Sequence, residues 1–376
     1  MAGIYIHFPF CRHKCNYCNF YSLATSKHHD ELLIALLKEI ELQQDYLQGE
    51  NIETIYLGGG TPSLLKAAEI EQLLHAVYKL FTVIDEAEIT LEANPDDLRA
   101  PKLRELKQAG INRLSIGVQS FQDEDLRYLQ RIHTANQARN SIKRAQDAGF
   151  SNISIDLIYG IPTLSSTGWE FNLLDAMGLG VPHISAYALT IEDKTPMALQ
   201  IKRGKLPDVN DEDQLQQFII LTDLIQANGY LHYEISNFCT PGMFSKHNTA
   251  YWQGKKYLGI GPSAHSYNTT SRQWNIAGIG QYLTAVKSGK LPFEQEILTI
   301  PQRFNEYIMT SLRTMWGCNL DIVERDFGVD WTNQALADAQ QFIDNGSLIQ
   351  KGRILVLSQK GLFHADGIAA ELFRID

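Results

Sequence analysis

GIYIHFPFCRHKCNYC, residues 3–18, runs an apolar segment straight into a loop that holds three cysteines in eight positions. Residues 3–8 read as a short buried strand, and Cys11, Cys15 and Cys18 follow at once. Five more runs of this kind recur downstream: TIYLGG at 54, EITLEAN at 88, RLSIGVQ at 113, ISIDLIYG at 153 and HISAYALT at 183. Each is short and apolar throughout, as strands of a parallel sheet buried on both faces must be. Helical patterns lie between them. DELLIALLKEIELQQDYL predicts a helix over 30–47, and others are expected near 67–80, 101–109, 122–130, 135–148 and 169–179. Gly110 and Gly149 stand where two of these would stop.

Six βα units in series imply an α/β fold, one parallel sheet with helices outside. The sheet is either an open doubly wound one or a curved partial barrel. In both, chemistry gathers at the carboxyl ends of the strands. The polar and glycine signals fall there: Cys11 after the first run, 58–62 after the second, Glu92 and Asn94 on the third. Gln119, Asp156 and Tyr187 belong to the fourth, fifth and sixth. One shared site is therefore expected.

The pattern changes after residue 200. DEDQLQQFIILTDLIQANGY is an amphipathic helix, followed by a stretch rich in glycine and aromatic residues. From about 300, helices lead into two short strands joined by a Lys351-Gly352 turn, which suggests a small winged-helix-like α+β domain. The expected organisation is 1–200, 201–295 and 296–376. With 376 residues, 44% of them hydrophobic, the chain has material for more than one core. Its formal net charge is -10 and no long basic run occurs, so nucleic acid is not an expected partner. No stretch of about 18 apolar residues occurs, and MAGIYIHFPF reads as a strand rather than a signal peptide; a cytoplasmic location is expected.

Five cysteines, three of them clustered, argue against a disulfide framework and for a metal or redox centre. Structural zinc sites usually take four protein ligands in two pairs, and no second pair exists here. A [4Fe-4S] cluster usually takes four thiolates; three would leave one iron open to a reactant. A zinc site completed by His7 or His13, or cysteines with no metal at all, remain alternatives at this point.

C-x3-C-x2-C is the signature of the radical S-adenosylmethionine (radical SAM) superfamily, and the chain resembles it. YIHFPFCRHKC, GGGTPSLL, LEANPDDL, RLSIGVQSF, LQRIHT and IDLIYGIP together resemble the oxygen-independent coproporphyrinogen III oxidase family over roughly residues 4–200. The resemblance implies a partial (β/α)6 TIM-like barrel with a C-terminal extension and the small winged-helix-like domain. It implies a [4Fe-4S] cluster on Cys11, Cys15 and Cys18, with SAM on the open iron. Tyr5 and Gly59, Gly60 and Thr61 would lie near the methionyl end of SAM, Tyr17 near the adenine, and Ala188 would make a backbone contact. Glu92, Gln119 and Asp156 would supply polar contacts, and Arg131 would pair with the SAM carboxylate. Taken singly, these residues have other readings. Glu92 and Asp156 could cap helices, and Arg131 could be a surface ion pair.

Two departures separate the chain from the oxidase. The oxidase carries a fourth cysteine two positions after the third, where this chain has Phe20, and it has an extension ahead of the strand bearing Tyr5. Both departures resemble a sister branch, the heme chaperones, as does HNTAYW: His247, Asn248, Tyr251 and Trp252. That resemblance implies heme as cargo and client hemoproteins as partners. Respiratory clients met at the membrane periphery, and a homodimer, are compatible with it. A neutral imidazole suits heme iron and flat rings suit a porphyrin, so His247 is the expected ligand, with His265 as a second candidate. The other reading has His247 and Asn248 bonding a loop while Tyr251 and Trp252 fill core. Porphyrinogen decarboxylation stays open as the alternative activity.

Overall fold

The computed structural model describes residues 1–374. Six parallel strands come first: β1 (Ala2–Phe8), β2 (Ile52–Gly59), β3 (Val83–Ala93), β4 (Arg113–Gln119), β5 (Asn152–Tyr159) and β6 (His183–Ala188). They are hydrogen-bonded in the order β1-β2-β3-β4-β5-β6. A doubly wound sheet reverses its strand order at a switch point. This one never does, which decides for the partial barrel. The strands form where Ile, Leu and Val recur; Ile4, Ile6, Ile55, Leu57, Leu91, Ile116, Ile155 and Ile184 are all buried.

The helices of the barrel are α1 (His29–Leu42), α2 (Ala67–Leu80), α3 (Ala100–Gln108), α4 (Asp123–Tyr128), α5 (Ala135–Asp147) and α6 (Ser166–Gly178). α5 opens on a capping box: Gln137 N–H donates to Thr134 Oγ1 at 3.2 Å and Thr134 N–H donates to Gln137 Oε1 at 2.8 Å. The first helix is shorter than the 30–47 expected. Beyond Leu42 the chain breaks into turns, with Gln48 and Gly49 both at positive φ. Leu47 nonetheless reaches the core, from a turn rather than from a helix.

Downstream come α7 (Pro196–Lys202), α8 (Asp211–Ala227), β7 (Leu231–Glu234), β8 (Asn237–Cys239) and α9 (Lys246–Trp252). Then follow β9 (Tyr257–Ile260), β10 (His265–Tyr267), β11 (Ser271–Asn275), α10 (Ile279–Lys287) and β12 (Phe293–Ile297). The glycine- and aromatic-rich stretch thus supplies strands to both sides of the barrel sheet. β8 and β7 extend it beyond β6, and β9 to β12 extend it beyond β1, giving twelve strands. Leu258, Ile260, Tyr282 and Val286 join the same apolar core as β1 to β6. A buried carboxylate fixes this arrangement. Glu39 on α1 accepts hydrogen bonds from Gly261 N–H (2.7 Å), Asn275 Nδ2 (2.6 Å) and Tyr282 OH (2.5 Å).

The last part is α11 (Ile300–Leu312), β13 (Cys318–Asn319), α12 (Leu320–Phe327), α13 (Val329–Asp344), β14 (Leu348–Lys351) and β15 (Ile354–Leu357). Its antiparallel sheet runs β13-β15-β14, and the turn between β14 and β15 falls on Gly352 and Arg353. Phe304, Ile308, Leu312, Val323, Ala335 and Leu355 form a second apolar core of their own. No helix among the described residues is long and apolar enough to cross a membrane.

Candidate functional site

The cysteine loop leaves β1 at the carboxyl end of the barrel and is tied down along its length. Cys11 N–H donates to Leu23 O at 2.9 Å and Leu23 N–H to Pro9 O at 2.8 Å, closing the stem. Asn16 is buried; its Nδ2 donates to Tyr128 O at 3.2 Å, and its backbone carbonyl accepts from Met197 N–H at 2.9 Å. Arg12 reaches Asp97 at 3.0 Å. Three separate segments of the chain therefore hold a short loop that has little apolar surface of its own.

Cys11, Cys15 and Cys18 are free and half-buried. Their sulfurs are spread wider than one metal ion requires. Zinc holds thiolates at about 2.3 Å, which puts sulfurs about 3.8 Å apart. Among the described residues, only His29, Asp30 and Glu69 bring three ligand atoms within 4.8 Å of one another. His7 does not complete a zinc site either: its Nδ1 faces Tyr5 OH at 3.1 Å and its Nε2 faces Tyr21 O at 3.0 Å. A spread, all-thiolate donor set fits a polynuclear iron–sulfur core.

The three cysteines open onto a cavity of about 460 Å³. Its wall includes Tyr17, Gly59, Gly60, Thr61, Glu92, Gln119, Arg131, Asp156 and Ala188, so nine of the ten residues expected around SAM surround one space. Tyr5 is the exception. It lies behind Tyr56 on the wall of a neighbouring cavity, because its hydroxyl is drawn to His7.

Packing requires both glycines. A Cβ on Gly59, at φ 110°, would sit 2.6 Å from the His7 ring, and one on Gly60 would sit 2.6 Å from the Pro9 carbonyl carbon. They let β2 press against the stem of the cysteine loop. Gly59 N–H donates to Glu92 Oε2 at 3.0 Å, and Tyr56 OH donates to Glu92 Oε1 at 2.9 Å. Burial pushes the Glu92 carboxyl up to about 7 and that of Asp156 up to about 6. Gln119 sits at φ 68°, where the β4–β5 register shifts, and this kink turns its side chain toward the cavity.

Arg131 is held by the protein itself. Its Nη2 donates to Asn94 Oδ1 at 2.6 Å and Gly117 O at 2.9 Å, and its Nη1 lies 3.4 Å from Cys15 Sγ. Its Nε has no partner among the described residues. A guanidinium against a cluster thiolate offsets charge as well as facing the cavity. Sequence reasoning did not find this contact, nor Arg113, which is buried at the cavity floor with Glu88 at 3.8 Å. The one signal was an arginine opening an otherwise apolar strand.

The HNTAYW residues divide. His247 is buried, with Nδ1 2.7 Å from Thr54 Oγ1 and Nε2 2.8 Å from Tyr251 OH. Burial lowers its pKa to about 3. Both ring nitrogens are engaged, so the free imidazole expected of a heme ligand is not found at His247; the ring fastens α9 to β1 and β2. Asn248 faces the 460 Å³ cavity, while Tyr251 and Trp252 face a second cavity of about 810 Å³. Phe20 is 69% exposed and lines both cavities. Cys239 and Cys318 are buried in the cores, where burial pushes each thiol up to about 12.

Comparison with known proteins agrees with this geometry. The radical SAM superfamily profile matches residues 5–170, and that of the HemN C-terminal domain matches residues 298–364. The heme chaperone HemW of Bacillus subtilis (strain 168) is 35% identical over 320 residues, 84% of each chain. That of Lactococcus lactis is 33% identical over 373 residues, 99% of this chain and 97% of its own. HemW of Escherichia coli (strain K12) is 39% identical over 266 residues, 70% and 69% of the two chains. Coproporphyrinogen III oxidase (HemN) from Escherichia coli, a radical SAM enzyme, superposes with a TM-score of 0.86 over 99% of this chain and 90% of its own, at 23% identity. At that identity the likeness speaks for the fold alone. The cysteine loop, the barrel that carries it and the end-to-end similarity to HemW proteins agree: the chain belongs to the HemW branch of the radical SAM superfamily.

Proposed function

We propose that this protein is a heme chaperone. It carries a [4Fe-4S] cluster on Cys11, Cys15 and Cys18, binds SAM in the cavity beside it, and holds heme for transfer to client hemoproteins in the cytoplasm. Phe20 carries the reading. Where the oxidase branch has a fourth thiol, this chain presents an exposed phenyl ring, in a sequence alignable with HemW over 99% of its length. Respiratory clients and a homodimeric state belong to the same proposal. When bound, the cluster and SAM supply one-electron chemistry that no side chain offers. The chain's own residues do the rest. Asn16 and Arg12 fix the loop, Arg131 offsets thiolate charge, and Glu92 and Asp156 present half-buried carboxyls to a cationic, hydroxyl-bearing ligand.

The test is anaerobic titration of the cluster-reconstituted chain with heme, followed by mixing with an apo-hemoprotein. Saturable binding and transfer are expected. A protein that retains its cluster yet leaves heme unbound removes the proposal. The overall fold, shared with HemN, favours the oxidase reading equally and does not separate the two.

A further inference from the structure

The 810 Å³ cavity lies outside the cluster site. α9 and β9 to β11 wall it on the barrel side, α11 and α12 on the side of the small domain. Its volume falls in the ~300–1,000 Å³ range of cofactor pockets. Rings dominate the wall: Tyr251, Trp252, Tyr257, Tyr267, Tyr307 and Phe327. The Tyr257 ring centre stands 4.5 Å from that of Tyr251 and 6.1 Å from that of Tyr267. Such a wall offers faces and edges to a large flat ligand. Arg303 lines the same space, and a planar guanidinium suits a carboxylate; Arg272, also on the wall, is already paired with Glu306.

Two histidines reach this cavity. His7 has both ring nitrogens engaged, as described above. The His265 ring has no hydrogen bond among the described residues; it is exposed and stacks on Trp274 at 6.1 Å. Desolvation at the cavity wall and the nearby Arg272 charge lower its pKa, which favours the neutral ring, the form that binds a metal. Phe20 adds an independent observation. A phenyl ring 69% exposed, on the wall common to both cavities, has apolar surface that the described residues leave uncovered.

We infer that this cavity is the heme seat, with His265 as the axial ligand, Arg303 meeting a heme carboxylate, and Phe20 forming the partition from the cluster cavity. The inference rests on the heme-chaperone reading and gives its cargo a place. It also moves the ligand role from the HNTAYW histidine to a residue outside that motif.

Heme titration of the full, cluster-bearing chain tests it, using His265→Ala and Thr310→Trp. Thr310 lies on α11 and lines the cavity, so a tryptophan there occupies the space. Cluster content and SAM binding, unchanged, show that the variants fold. His265→Ala is expected to weaken heme binding about tenfold or more and to remove the histidine-ligated absorption spectrum, with added imidazole restoring it. Iron-free protoporphyrin should bind His265→Ala as it binds the unaltered chain, whereas Thr310→Trp should weaken both ligands. If the unaltered chain binds heme and both variants match it, the seat lies elsewhere and the chaperone reading survives. If the unaltered chain binds no heme, that reading falls and this inference falls with it.

Discussion

At the scale of single residues, the site sets half-buried carboxyls around one cavity. Glu92 and Asp156 have carboxyls raised to about 7 and about 6 by desolvation. A raised folded-state value means the folded chain holds protons that the unfolded chain releases at about 4.3 and 3.9. Their contribution to stability is therefore undiminished at low pH. It declines as pH rises through the unfolded values toward 6 and 7, and is level above. A cationic ligand reverses the preference by favouring the ionised carboxyls. SAM should bind the cluster-loaded protein more tightly at pH 8 than at pH 6 and release protons near pH 6.5. Calorimetry in two buffers of different ionisation enthalpy reads the release, and Glu92→Gln should reduce it. Proton uptake instead would show that these carboxyls do not meet the ligand. The cysteines and the strand-end residues Glu92, Gln119 and Asp156 were legible from spacing and position, whereas Tyr17, Arg131 and Ala188 entered only through the family resemblance. Their partners were not. The Arg131–Cys15 contact joins residues 116 apart and depends on how α4 returns to the loop.

At the scale of elements, α9 shows why a motif is easier to find than to interpret. HNTAYW was visible as a unit, and the spacing of His247 and Tyr251 is the i, i+4 pairing of a helix. Which way that face points is set by Thr54 on β2, 193 residues away. The imidazole turns inward, and the bland reading of His247 as a hydrogen-bonding core residue describes it well. His247→Ala should cost roughly 2–3 kcal/mol of stability, since Thr54 and Tyr251 lose a buried partner. The cluster should remain, and the heme absorption spectrum should keep its form. Chemical denaturation and a heme titration measure both. A normal melting profile with an altered heme spectrum would make His247 the ligand after all. The first helix is the converse case: its periodicity ran on past Leu42, but the chain continues in turns through Gly49, and Leu47 is buried from a turn rather than from a helix.

At the scale of the whole molecule, the barrel was legible because six apolar runs alternate with helical patterns, and strand order decided the rest. The strands of the extension were not, since β7 to β11 are short and take their form from the sheet edges they join. Glu39 couples these strands to α1 through three buried donors. Glu39→Ala should destabilise the protein by about 3 kcal/mol or more. It should loosen the β9–β11 side first, which hydrogen exchange would localise; uniform loss of protection would assign Glu39 a global role instead. The same wall carries the aromatic cavity, so the lesion should weaken heme binding more than SAM binding. The claim that orders all of this is that a radical SAM barrel with Phe20 in place of a thiol carries heme rather than making its precursor. The most direct measurement is an anaerobic incubation of the cluster-reconstituted protein with SAM, reductant and coproporphyrinogen III, followed by mass spectrometry, with a genuine oxidase alongside. No decarboxylated product, from protein shown to hold its cluster, is the expected result. Protoporphyrinogen IX at catalytic turnover would contradict it and make this chain an enzyme of heme synthesis.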